Sequence, residues 1–132
     1  MTVAQYVLVR ELARGGMGEV WLARQGEAGG FERLVALKRV LAGADADSAA
    51  MTMFLDEARI AAQLQHPNIV QVFDFGREAG SVFLVMEYLA GQTVGRLKRR
   101  LLEVEGPLSA SLAVAIISAA ARGLGYAHRR TS

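Results

Sequence analysis

A glycine-rich segment between two runs of strand-forming residues constrains the fold more than any other feature of this sequence. The segment LARGGMGEVWLAR spans Leu12–Arg24 and places three glycines within four positions. Tyr6–Leu12 leads into it and Val20–Ala23 continues from it, and both stretches are rich in residues that favour strands. The sequence therefore predicts a strand, a pliable turn and a second strand.

Two common glycine motifs do not fit this local order. A dinucleotide-binding fingerprint leads from a strand into a helix, whose N-terminus receives the pyrophosphate, whereas a strand pattern follows Gly18. A Walker-type phosphate loop closes on Lys and then Ser or Thr, whereas Glu19 and Val20 follow Gly18 here. What remains is a hairpin whose backbone N–H groups can lie over phosphates, or an ordinary flexible turn.

Strand and helix patterns alternate after the glycine hairpin, and the composition then becomes entirely helical. Residues suited to cap the first helix are Asp45, Asp47 and Ser48. These patterns predict an α+β fold with five antiparallel strands, one helix packed with them and two further helices. The elements predicted after the hairpin are a strand, a helix, two strands and two helices, at Leu34–Val40, Met53–Leu64, Ile69–Phe75, Val82–Met86, Thr93–Val104 and Ser109–His128.

Two charged residues fall in patterns that are otherwise apolar. Glu57 shares the helical stripe of Phe54 and Ala61, and Lys38 lies in an apolar strand. Burying a carboxylate costs on the order of several kcal/mol unless a cation meets it. We therefore expect Lys38 to pair with Glu57. The alternative is that both side chains extend to solvent at the edge of the core.

Composition narrows the class of protein further. The chain has 132 residues, of which 52% are hydrophobic and 21% charged, and this predicts one globular domain. A net charge of +2 gives no general attraction to nucleic acid, and the basic run Arg96–Arg100 is interpreted as a solvated helix face. The absence of cysteine excludes disulfides and zinc-thiolate sites and fits a cytoplasmic location. The longest nearly apolar run, Leu112–Ala121, is shorter than the roughly 18 to 20 residues of a membrane span, so no span is expected.

Five short motifs occur in one order along nearly the whole chain. They are Ala13–Val20, Val35–Lys38, Glu57, His66–Val70 and Val85–Tyr88. In this order they resemble the N-terminal part of bacterial protein serine/threonine kinases of the eukaryotic-like type. The resemblance implies a kinase-like small lobe over residues 1–86, with a five-stranded antiparallel sheet and the helix called C. It also implies a hinge over residues 87–92 and the first two helices of the large lobe over residues 93–132.

The resemblance implies an ATP site and a role for each matching residue. The backbone of Gly15–Gly18 would cover the phosphates, and Lys38, held by Glu57, would contact the α- and β-phosphates. The adenine would lie between Val20 and Ala36, with Met86 at the back of the pocket and the backbone of Glu87 and Leu89 at the adenine edge. Lys38 and Glu57 are the implied catalytic residues. The implied nucleotide-binding set is Leu12, Ala13, Arg14, Gly15, Gly16, Met17, Gly18, Val20, Ala36, Lys38, Met86, Glu87 and Leu89.

Two departures from the family pattern limit what these residues can do alone. Ala13 replaces the first glycine of the family's loop, so we expect weaker closure over a nucleotide. The catalytic loop with its aspartate and the magnesium ligands do not follow the last helix, and no aspartate follows His128-Arg129-Arg130. We therefore expect this chain, a truncated kinase, to bind ATP without transferring phosphate and to hold no metal. The parent kinase would use Mg²⁺ and phosphorylate serine or threonine of a protein substrate.

The last predicted helix is apolar nearly all round, which is typical of a helix buried on every side. We expect the missing part of the large lobe, or a second molecule through self-association, to cover it. The alternative to an ATP-binding kinase part is a non-catalytic, kinase-like interaction or regulatory module. A well-behaved complex that does not respond to ATP would favour this alternative.

Overall fold

The computed structural model describes residues 1–16, 18–26, 30–41 and 49–131. The predicted helix caps at Asp45, Asp47 and Ser48 lie outside the described residues. The described residues form six strands and three helices, which confirms the predicted order and adds one short strand at the start. The elements are β1 Thr2–Val3, β2 Tyr6–Gly15, β3 Gly18–Gln25, β4 Arg33–Leu41, α1 Ala49–Ala62, β5 Val72–Glu78, β6 Ser81–Glu87, α2 Val94–Val104 and α3 Ala110–Thr131.

The six strands form one antiparallel sheet in the order β1-β2-β3-β4-β6-β5. The glycine segment is the hairpin between β2 and β3, with Gly15 and Gly18 as its last pair. The connection between the strands predicted at Ile69–Phe75 and Val82–Met86 is shorter than expected, because β5 continues to Glu78. Ala79 and Gly80 alone make that turn, both with positive φ, as a two-residue hairpin connection requires.

The two faces of the sheet have different neighbours because side chains alternate along each strand. One face holds the hydrophobic core, which consists of Val3, Tyr6, Leu8, Ala23, Val35, Leu37, Phe83 and Val85. On the other face, register places Val20 beside Lys38 and Ala36 beside Met86. Phe54 of α1 lies near Lys38 on this second face. The predicted nucleotide-contacting side chains of the sheet therefore share the face opposite the core.

Side-chain hydrogen bonds link β5, at one edge of the sheet, to the start of β2 and the turn before it, near the other edge. The hydroxyl of Tyr6 donates to Oδ2 of Asp74 at 3.0 Å, and the backbone N–H of Ala4 donates to the Glu78 carboxylate. Tyr6 is buried in the core, and this burial raises the pKa of its hydroxyl above the ordinary value. The sheet is therefore curled, with β5 tied to the start of β2.

The predicted buried position of Glu57 is wrong. The buried side chains of α1 are Met51 and Ala58, and the helix packs on β5 and β6. At about 100° per residue, Glu57 lies roughly 100° from Ala58 and roughly 120° from Met51 around the helix. Phe54, the residue that suggested a shared stripe, is only half-buried at the flank, and Glu57 is exposed.

The chain divides into two compact units, residues 1–65 with 70–88 and residues 66–69 with 89–132. The predicted hinge over residues 87–92 stays a prediction. The second unit contains both predicted helices. The Thr93 hydroxyl accepts from the N–H of Arg96, and the Ser109 hydroxyl accepts from the N–H of Leu112, each at 3.2 Å.

The segment 66–69 belongs to the second unit and packs against α3. The Asn68 side-chain amide donates to the carbonyl of Ala119 at 2.9 Å, and the rings of His66 and Tyr126 lie 5.1 Å apart. Gly123 is buried here, and a Cβ at this position would come within 3.2 Å of the Asn68 carbonyl oxygen. A packing role therefore accounts for His66.

The third helix is longer than its apolar run suggested. Residues Ala110–Arg130, 21 residues, are long and apolar enough to cross a membrane by length and composition. The prediction that no segment could span a membrane was based on the run Leu112–Ala121 alone. It does not hold for the whole helix, because small and glycine residues extend the apolar stretch. The core helix of a soluble protein can have the same length and composition.

Candidate functional site

A shallow cavity lies where the glycine hairpin approaches β4. Its volume is about 260 Å³. Six of the residues predicted to bind nucleotide line it, namely Ala13, Arg14, Gly15, Gly18, Val20 and Lys38. Lys38 is half-buried and provides the ammonium group. The cavity therefore combines a cation with small residues that let a ligand approach the backbone closely.

The close approach of the hairpin to β4 depends on Gly18. Its φ is +131°, which L side chains rarely adopt, and a Cβ there would overlap the carbonyl oxygen of Arg39. Gly15 and Gly16 differ, because a Cβ at either position would meet no atom within 4 Å. Met17, another predicted member of the loop, lies outside the described residues. Gly18 is thus required by the fold, and the other two glycines leave open space around the turn.

Lys38 and Glu57 do not form an ion pair. The Lys38 ammonium lies 5.7 Å from the centre of the Phe54 ring, a cation–π distance. The ion pairs among the described residues include neither Lys38 nor Glu57. The expected pairing is therefore not made in this structure, because Phe54 occupies the side of α1 nearest the lysine.

The residues predicted to hold the adenine form two groups. Ala36 and Met86 were expected to contact it through their side chains, and Glu87 and Leu89 through their backbone. Ala36 is buried and pairs in register with Met86, which is half-buried. The N–H of Glu87 already donates to the carbonyl of Gln71 at 2.8 Å. Leu12 is half-buried in β2, whereas Leu89 is exposed and belongs to the second unit. The structure thus brings Ala36 and Met86 together on the face that carries Lys38.

The buried, paired carboxylate is Glu19. Its side chain is only 3% exposed, and Arg39 donates to its Oε1 from Nε at 2.7 Å and also from Nη2. Arg14 donates to its Oε2 at 2.7 Å. Glu19 was not among the predicted site residues, although two-residue alternation places it with Trp21 on the core face. In the structure it pairs in register with Arg39. That alternation was the signal that could have identified it.

Arg14 also holds a second carboxylate. Its guanidinium donates from Nε at 3.0 Å and from Nη2 at 2.7 Å to the two oxygens of Glu11. These hydrogen bonds lower the pKa of Glu11 and raise that of Arg14. Glu11, Arg14, Glu19 and Arg39 therefore connect β2, β3 and β4 at the hairpin end of the sheet.

The described residues do not fit a magnesium site. Across them, no group of three or more His, Cys, Asp or Glu side chains is placed to hold a metal ion. The tripeptide Asp74-Phe75-Gly76 has the letters of the kinase magnesium motif. It lies inside β5, where Asp74 accepts from the Tyr6 hydroxyl at 3.0 Å and from the N–H of Phe75 at 2.9 Å. This aspartate ties β5 to β2 and is not a metal ligand of the cavity.

Comparisons with known proteins agree over nearly the whole chain. A model of the protein kinase domain matches residues 6–131. MasK of Myxococcus xanthus, named a tyrosine-protein kinase, is 42% identical over 127 residues, which are 96% of this chain and 20% of that protein. PknF of Mycobacterium tuberculosis, named a serine/threonine-protein kinase, is 40% identical over 130 residues, which are 98% of this chain and 26% of that protein.

Solved structures give the same match. The crystal structure of the Mycobacterium tuberculosis PknI kinase domain superposes with a TM-score of 0.81 and 32% identity. The match covers 99% of this chain and 50% of that domain. The chain thus spans about a fifth to a quarter of the curated relatives' length and half of the solved domain.

Proposed function

Because the chain belongs to the protein kinase domain family, we propose that it supplies the ATP-binding part of a protein kinase. The observation that carries the proposal is the cavity of about 260 Å³ between the glycine hairpin and the half-buried Lys38. A lysine beneath a glycine-rich loop is the arrangement with which kinases hold ATP phosphates. The absence of cysteine fits the further proposal of a cytoplasmic location.

Different residues of the chain would contact the phosphates and the adenine of ATP. Lys38 would place its ammonium against the α- and β-phosphate oxygens, and the backbone of Gly15–Gly18, with glycine at three of its four positions, would lie over the phosphates. Val20 and Ala36 offer the apolar surfaces for an adenine ring, and Met86, paired with Ala36, would limit the depth of the pocket. The adenine edge would meet the backbone of Glu87 and Leu89.

We propose that Lys38 and Glu57 pair only in a nucleotide-bound, activated arrangement. Phe54 now faces the lysine, and Glu57 lies roughly 60° from it around the helix. A turn of α1 about its axis would exchange the two side chains. Active kinases require this lysine–glutamate pair, so the present arrangement corresponds to the unpaired state.

Phosphoryl transfer is proposed for a complete kinase domain that includes this chain. No His-Arg-Asp catalytic triplet occurs in these 132 residues, and the described residues do not fit magnesium, so we expect little turnover from them alone. Serine or threonine in a protein substrate is the proposed acceptor, on the strength of the name of PknF. MasK carries a tyrosine-kinase name, so phosphoamino-acid analysis of the product decides between the acceptors.

The single tryptophan gives a direct test of ATP binding. Trp21 lies in β3 beside the hairpin, so its fluorescence reports on this region during a titration with ATP. ATP at 100 times its dissociation constant stabilises the folded state by about 2.7 kcal/mol, which a thermal or urea melt detects. We expect Lys38→Met to abolish most of this stabilisation.

The matched control is Lys98→Met, which removes the only other lysine, on the exposed surface of α2. It should bind ATP as the native chain does. Unchanged fluorescence and an unchanged melt at millimolar ATP would contradict the proposal, and so would a Lys38→Met chain that binds normally. Either result would favour the non-catalytic interaction module.

A further inference from the structure

We propose that the buried ion pair between Glu19 and Arg39 is a positioning device that holds the glycine hairpin at a set height above Lys38. Among the described residues, Glu19 is the one charged side chain that is buried. It lies one residue after Gly18, the last glycine of the hairpin. The inference rests on the proposed nucleotide site and assigns it two residues outside the predicted binding set.

The contacts of Glu19 use both carboxylate oxygens. Arg39 binds Oε1 through Nε and Nη2, and Arg14 binds Oε2 at 2.7 Å. Arg39 is only 17% exposed, whereas Arg14 is 59% exposed. The pair with Arg39 is therefore shielded from water and salt, and the contact with Arg14 is a weaker outer bond.

Arg39 restrains the hairpin through its backbone as well. The Cα of Gly18 packs so closely on the Arg39 carbonyl that no Cβ fits between them. Glu19 pairs in register with Arg39, and Val20 pairs with Lys38. Gly18 and Glu19, two successive residues at the end of the hairpin, therefore both contact Arg39, the residue after Lys38.

Glu19 acts from the side of the sheet away from the ligand. Successive side chains of a strand point to opposite faces, so Glu19 and Arg39 lie on the core face while Val20 and Lys38 line the cavity. Neither Glu19 nor Arg39 lines that cavity. Their effect on binding must pass through the position of the hairpin, which makes them positioning residues.

The position of the hairpin matters most for the phosphates. Adenine contacts would come from Val20, Ala36 and Met86, of which Ala36 and Met86 lie on β4 and β6, away from the hairpin turn. Loosening the hairpin should therefore weaken ATP binding more than adenosine binding. This difference separates a positioning role from a general loss of stability, which would weaken the two ligands alike.

The test compares Glu19→Gln with Glu32→Gln in the full chain. Glu32 pairs with Arg24 at 3.5 Å in an exposed ion pair at the opposite end of β3, so it controls for loss of a carboxylate. In Glu19→Gln we expect amide hydrogens of the hairpin to exchange about tenfold faster and ATP to bind about tenfold more weakly, with adenosine changed less than about twofold. Glu32→Gln should match the native chain in all three measurements.

The inference is overturned if folded Glu19→Gln keeps native hairpin exchange and native ATP affinity, or if ATP and adenosine affinities fall equally. Should Glu19→Gln fail to fold, Arg39→Lys decides instead, since it retains the charge and loses the forked guanidinium. A folded Arg39→Lys chain with native exchange and native ATP binding would also overturn the inference. If the native chain binds no ATP, the proposed function fails, and hairpin exchange alone then tests the positioning role.

Discussion

The ammonium of Lys38 lies over the ring of Phe54, 5.7 Å from its centre. Phe54 thus occupies the position beside Lys38 that Glu57 would take in a lysine–glutamate pair. Phe54 precedes Glu57 by three residues, so both project from neighbouring sides of α1. The occupant of this position depends on the rotation of one helix.

Lys38 and Glu57 should be energetically independent in the unliganded chain. We expect Glu57→Gln to change the free energy of unfolding by less than about 0.5 kcal/mol, because the side chain is exposed. In a double-mutant cycle with Lys38→Met, the coupling should stay below about 0.3 kcal/mol. Urea melts of the four chains measure it, and a coupling above about 1 kcal/mol would mean that the pair already exists without nucleotide.

Gly18→Ala should destabilise the fold. The φ of +131° and the overlap with the Arg39 carbonyl predict a loss of at least about 1 to 3 kcal/mol in the free energy of unfolding. Gly16→Ala is the matched control, because a Cβ there meets nothing within 4 Å, and it should cost less than about 1 kcal/mol. Equal melting temperatures for the two variants would contradict the described hairpin.

Tyr6→Phe should remove part of the chain's sensitivity to alkali. Burial raises the pKa of Tyr6, so its contribution to stability is full below the unfolded value of about 10 and is lost as pH rises through the higher folded value. We expect Tyr6→Phe to lose about 1 kcal/mol at neutral pH, from the bond to Asp74, and to show a smaller further loss above about pH 10. Urea melts from pH 7 to 11 measure this, with Tyr88→Phe as the control. Parallel pH profiles for native and Tyr6→Phe chains would argue against the buried hydroxyl.

Leu37→Ala should be costly, and Leu34→Ala should not. Both leucines lie in β4, but Leu37 is 0% exposed and Leu34 is 50% exposed. Truncating a buried leucine costs about 2 to 5 kcal/mol, whereas the exposed one should cost less than about 1 kcal/mol. Thermal melts of the two variants check the assignment of sheet faces. A larger loss for Leu34→Ala would mean that the faces are reversed.

Much of the fold could be predicted from the sequence because strand and helix patterns are local. The hairpin around Gly15–Gly18 and the helices after Thr93 and Ser109 were predicted, and the structural likeness to the PknI kinase domain confirms the kinase-like α+β fold. The short β1 was missed, because two residues carry no periodic signal. The ends of β5 were misplaced, because Gly76 suggested a turn where the strand continues.

The charges were harder to predict because their burial depends on packing between elements. The rule that a buried carboxylate needs a cation was sound, but it applies to Glu19 and Arg39, which pair across strands. Glu57 was misplaced because half-buried Phe54 was taken as the centre of the buried stripe of α1. The rotation of that helix is set by Met51 and Ala58 against β5 and β6, which local periodicity does not determine.

The hydrogen bonds between β5 and the start of β2 affect the order in which the sheet assembles during synthesis. Tyr6 and Asp74 are 68 residues apart in the chain, and Ala4 and Glu78 are 74 apart. Strands β2 to β4 can form their backbone hydrogen bonds as soon as they leave the ribosome, because each pairs with its neighbour in sequence. The hydrogen bonds of Ala4 and Tyr6 to β5 cannot form until β5 emerges. The start of β2 in the nascent protein therefore lacks these partners through most of the translation of the first unit.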